Sequence, residues 1–147
     1  MISDLSVKFE NINHHFDINV WQVYDAILKS SGKPVSLWVF DYQILKQRER
    51  DKETRKRYIE HYKNSLQLQQ KVTHKNILKI QEIEITSKKF FFVSEKVDSI
   101  ISSETKFSRD EAMYIIQQLA ITLNFLHVYH KIAFMSVWPN NIFLNYV

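Results

Sequence analysis

Residues 134–147 read Phe-Met-Ser-Val-Trp-Pro-Asn-Asn-Ile-Phe-Leu-Asn-Tyr-Val, and their spacing is that of a loop able to manage phosphoryl transfer. That chemistry needs a carboxylate to accept the proton of the attacking hydroxyl. It also needs an amide, five residues further on, to hold a magnesium ion. The amide stands as Asn141, and the carboxylate position is Ser136. A serine hydroxyl is no base near neutral pH without a partner. Asn141 by itself is one neutral amide, and the alternative role for it is to hydrogen-bond the loop backbone.

The segment before this loop ends Phe125-Leu-His127-Val-Tyr-His130. A helix ending in Phe-Leu-His, then a short loop, then Pro-x-Asn-Ile-x-Leu, resembles the catalytic loop of protein kinases, H-R-D-L-x-x-x-N. The His and Arg positions of that pattern are Phe134 and Met135.

The resemblance lets the other working parts be sought by position. A glycine-rich loop should precede Val20-Trp-Gln-Val23, where the chain reads Asn13-His-His-Phe-Asp-Ile-Asn19. The whole sequence holds one glycine, Gly32, so neither G-x-G-x-x-G nor a P-loop exists. The strand lysine of V-A-I-K falls on Trp38, within Val35-Ser-Leu-Trp38. The helix glutamate that should hold that lysine falls on Ser65, with Asn64 or Leu66 one place either side. The nearest acid, Glu60, is about 140° away around a helix of 3.6 residues per turn. Trp38, Ser65 and Ser136 together predict a chain that is not an enzyme, with no catalytic residue, no metal site, and ATP and magnesium not expected as cofactors.

Composition narrows the class. The chain has 147 residues, 45% of them apolar and 24% charged, enough to bury a core. It lacks cysteine, which removes disulfides and thiolate zinc sites. Six histidines show no H-E-x-x-H or similar ligand spacing. The net charge is +4, much of it from Lys46 to Arg57. That stretch reads as a solvated helix start or as a patch for an acidic membrane surface. No aromatic residue is interleaved there, so a nucleic-acid partner is not expected.

The elements that would carry these positions follow from patterning. Val20–Leu28 and Val35–Phe40 read as strands joined at the turn Ser30-Ser-Gly-Lys-Pro34. Residues 53–72 read as a helix, broken at Thr73-His-Lys-Asn76. Ile77–Ile85 and Phe90–Glu95 form a second hairpin. Ser108-Arg-Asp-Glu111 is a capping box that opens a helix to about His127, with Ala112, Ile115, Ile116, Leu119, Leu123 and Leu126 as an apolar core stripe. The order predicts an α+β fold: a kinase-like small lobe with hinge over 1–98, an antiparallel sheet plus one helix, then the start of a large lobe over 99–147.

Within that fold the chain resembles the Scy-one-like pseudokinases. Trp21-Gln-Val-Tyr-Asp25 and Val35-Ser-Leu-Trp-Val-Phe-Asp41 look like that family's first hairpin. Leu68–His74 looks like its helix end, Phe91–Val97 like its hinge, and Ser136–Asn145 like its loop. The resemblance implies a catalytically inactive scaffold for vesicle traffic, with coat or clathrin-type proteins as partners. It implies a cytoplasmic place, peripheral at Golgi or endosomal membranes, and a chain that is part of a longer protein. Two alternatives stay open: a residual ATP-binding module using the hinge at Glu95 and Val97 with Asn141, and a working protein kinase.

Overall fold

A computed structural model describes residues 5–86, 90–133 and 141–145. The chain divides into two compact units, one of residues 1–72 and 78–96, the other of 73–77 and 97–147.

The first unit is built on a five-stranded antiparallel sheet of β1 (Phe9–Ile18), β2 (Trp21–Leu28), β3 (Lys33–Phe40), β4 (Ile80–Ile85) and β5 (Phe90–Glu95). The strand order is β1-β2-β3-β5-β4. Gly32 makes the β2–β3 turn with φ of 65°, a conformation that costs glycine nothing, and its N–H donates to the Leu28 carbonyl at 2.8 Å. Asn19, at φ 54°, turns β1 into β2. Helices α1 (Tyr42–Arg48) and α2 (Lys52–Gln70) follow β3. Asp41 and Asp51 are their N-caps, the second accepting from Thr54 N–H at 2.6 Å. Hydrogen bonds from the Thr54 side chain and backbone hold the Asp51 carboxyl below its ordinary pKa. β1 and α1 are absent from the expected elements. Polar Asn and His residues interrupt the apolar alternation of β1, and α1 is only 7 residues long.

Strand parity makes two different faces. Val35, Leu37 and Val39 point to one side and join Leu5, Phe9, Tyr24, Ala26, Phe91 and Val93 in an aliphatic-rich core. Trp38 and Phe40 point to the other side, with Trp21, Phe90 and Phe92. Onto this aromatic face α2 lays Tyr62, whose ring centroid is 5.9 Å from that of Trp21 and 5.7 Å from that of Phe40. Burial raises the pKa of the Tyr62 hydroxyl.

The second unit holds α3 (Arg109–Asn124), a π-helical turn over Phe125–Tyr129, and a short pair, β6 (Ser99–Ile100) with β7 (Phe143–Leu144). The capping box forms as expected: Ser108 Oγ accepts from Glu111 N–H at 3.2 Å, and Glu111 accepts from Ser108 N–H at 2.7 Å. Asn76 ties residues 73–77 to α3, donating to Gln118 Oε1 and Thr122 Oγ1, each at 3.1 Å. The apolar stripe is covered less than expected. Leu126 is buried, but Ile116 is 59% exposed. Apolar spacing marks a face that can be buried and does not supply the layer that covers it.

The cap gives a prediction. Ser108→Ala should cost about 1 kcal/mol and raise amide exchange in the first turn of α3. The Glu111 carboxyl sits below its usual 4.5 because it accepts from Ser108. A depressed carboxylate contributes above its ordinary pKa and loses that contribution as pH falls through the lowered value. Exchange in that turn should therefore rise below about pH 4.5 in the natural protein and much less so in S108A.

Candidate functional site

The site is the aromatic face of β3 within the first unit. Trp38 sits opposite Val23 on β2 and Phe92 on β5. Its indole is stacked on Phe92, with centroids 5.2 Å apart and planes 10° apart, and Phe16 meets it edge-on at 6.0 Å. The indole Nε1–H donates to Ser94 Oγ at 2.9 Å, and the Ser94 hydroxyl donates in turn to the Glu95 carbonyl at 2.7 Å. Trp38 is 3% exposed, and Val23, Ser36 and Ser94 are fully buried around it. The position where a phosphate-binding cation was sought therefore carries a flat apolar ring with one committed donor.

Ser65 does not face this ring; it lies on the exposed side of α2. Asn64 is exposed as well, whereas Leu66 is buried. The sheet-facing residue of that stretch is Tyr62. The α2 carboxylates, Glu53 and Glu60, meet Lys56 and Lys63 at 2.8 and 3.9 Å on the surface. Glu95 is half-buried; its backbone N–H donates to the Lys79 carbonyl at 3.1 Å and its side chain accepts from Lys79 N–H at 2.9 Å. Val97 is fully buried and Asn141 half-buried, both in the second unit. Ser136, Phe134 and Met135 lie outside the described residues. Among the described residues no cluster of His, Asp or Glu could hold a metal.

Phe16, Tyr62 and Ser94 belong to the site and were not read as such in the sequence. The β3–β5 pairing that puts Ser94 beside Trp38 joins strands more than fifty residues apart, and no local pattern signals it. One further pair lies on β1 and β2. His15 Nδ1 stands 3.4 Å from Asp25 Oδ1, and each atom is buried without a hydrogen bond.

The protein kinase domain model matches residues 20–147. The chain belongs to the protein kinase domain family. It is 39% identical over 80 residues to a probable serine/threonine-protein kinase, fhkC, of Dictyostelium discoideum, covering 50% of this chain and 13% of that protein. It is 29% identical over 131 residues to CBL-interacting protein kinase 19 of Oryza sativa subsp. japonica, covering 84% of this chain and 23% of that one. A crystal structure of Rad53 1-466 in complex with AMP-PNP superposes with a TM-score of 0.73 at 16% identity, over 93% of this chain and 35% of that chain. That last likeness shows the fold. The chain thus spans about a quarter or less of the length of these curated relatives.

The expected α+β kinase-like fold is what the molecule has. The expectation of a non-enzyme, a pseudokinase, is corrected: the relatives are named protein kinases, one of them a probable serine/threonine-protein kinase, and the matching family is the protein kinase domain. Substituted positions such as Trp38 and Ser65 describe side chains in one unit. They do not define a class apart from that family. Among the described residues no helix is long and apolar enough to cross a membrane.

Proposed function

We propose that this chain supplies the nucleotide-side part of a serine/threonine protein-kinase domain, with ATP as phosphoryl donor. The observation that carries this reading is the family match over residues 20–147, supported by relatives named as serine/threonine and CBL-interacting kinases. In this reading the backbone at Glu95, at the end of β5 in the first unit, would meet the adenine. Phosphate contact in such a site cannot come from residue 38 as a cation, so backbone N–H groups or the metal must carry more of it.

The test is a thermal-shift titration of the purified protein with ATP, with and without magnesium, followed by transfer of labelled phosphate to a generic serine/threonine substrate. A ligand that binds only the native state stabilises it by RT ln(1 + [L]/Kd). Millimolar ATP should therefore raise Tm if Kd is about tens of micromolar. A flat titration together with no transferred label would overturn the reading.

A second role, docking other proteins in vesicle traffic, is favoured by one observation, the burial of Trp38 where a phosphate contact was sought. Coat or clathrin-type proteins are the proposed partners, with a peripheral place on Golgi or endosomal membranes. An acidic-membrane contact through residues 46–57 is the weaker part of this role. Arg55 is already committed to the carbonyls of Glu49 and Arg50, and Lys56 to Glu53.

A further inference from the structure

We propose that Trp38 and Ser94 form a latch that sets how readily a nucleotide enters the site. The inference rests on the nucleotide-binding reading above and deepens it. Three observations within the first unit carry it. The indole occupies the strand position from which the site's phosphate contact would be made. Phe92 holds it from one side, face to face, and Phe16 closes on its edge. A polar bond, Nε1–H to Ser94 Oγ at 2.9 Å, ties the edge of the ring to β5.

A triphosphate and this indole cannot share the same volume. Nucleotide binding therefore requires a state in which the indole has turned away from Ser94. The apparent affinity is the intrinsic affinity scaled by the fraction of molecules in that open state. In the closed state the Nε1–H is buried and satisfied by Ser94 Oγ. Removing the bond while keeping the ring should raise the open fraction. A buried hydrogen bond is worth a factor of about three to ten in such an equilibrium.

The test uses Ser94→Ala and Trp38→Phe, both of which keep a packed aromatic face, and the double variant. Affinity for magnesium-ATP is measured by calorimetry. Each single variant should bind about three- to tenfold tighter than the natural protein. The double variant should gain little more, because both changes delete the same bond. Independently of any nucleotide, the indole N–H resonance of Trp38 should be protected from solvent exchange in the natural protein and lose protection in S94A. Equal affinities in all four proteins would overturn the latch and leave the nucleotide reading standing. An unprotected indole N–H in the natural protein would overturn it as well. Absence of ATP binding in every variant, with melting curves that show intact folding, would overturn both.

Discussion

Trp21→Ala should lower the stability of the first unit by about 3–5 kcal/mol, the range for removing a large buried aromatic ring. Trp21 is the hub of the aromatic face. Its ring meets Phe40, Phe90 and Phe92 edge-on at 5.2, 5.1 and 4.9 Å, and Tyr62 of α2 at 5.9 Å. These edge-to-face pairs add to the burial term, and the one with Tyr62 joins α2 to the sheet. Truncation would leave a cavity bordered by four rings, all anchored on strands or a helix and so unable to collapse into it. The urea midpoint should fall, with Trp21→Phe falling much less. A midpoint within experimental error of the natural protein would mean that α2 does not rest on this ring.

Leu37→Asp should be at least as damaging, on the opposite face of the same sheet. Leu37 is fully buried among Phe9, Tyr24, Val35, Val39, Phe91 and Val93. No cation is part of that cluster. A carboxylate there would be unpaired and desolvated, at a cost of several kcal/mol beyond the lost apolar contacts. Domains of this size are stable by only about 5–15 kcal/mol. The first unit should therefore be largely unfolded at neutral pH, seen as loss of dispersion in proton spectra. Burial raises the pKa of the introduced carboxyl, so part of the stability should return as the pH falls and the charge is removed. Leu37→Met, nearly equal in volume, should cost less than about 1.5 kcal/mol. If L37D melted like L37M, the aliphatic core would not be the support of the sheet.

The two predictions concern opposite faces of one strand pair, and their difference is partly legible in the sequence. Val35-Ser-Leu-Trp-Val-Phe40 reads as a strand on composition alone, and so do its partners Trp21–Leu28 and Phe90–Glu95. The capping box at Ser108 and Glu111 was also legible, since it depends on residues three apart. β1 was not. Asn11 takes φ of 53° at an irregularity in its pairing, and His14 and Asp17 bond to each other on its exposed side. Those residues look like a loop until the neighbouring strand supplies their register.

The helix position that should answer Trp38 shows the same division. Counting residues puts Ser65 there, but an error of a few places on a helix of 3.6 residues per turn changes the face. The structure turns Ser65 to solvent and Tyr62 to the sheet. The conclusion drawn from Trp38, Ser65 and Ser136, a chain that is not an enzyme, is overturned by relatives named as protein kinases. Residue identity at a few positions is a weaker guide to class than the match of the whole stretch.

Composition and local spacing were enough to establish the α+β class, the hairpins, the long helices, the missing glycine loop and the tryptophan in the strand. Each depends on residues within a few places of one another. Which ring stacks on Trp38, which hydroxyl accepts its hydrogen bond, and which residue of α2 faces the sheet were decided only when β3 paired with β5 and α2 packed on the sheet. Those contacts join residues far apart in the chain, and their partners are selected by the packing of the whole unit rather than by any local preference.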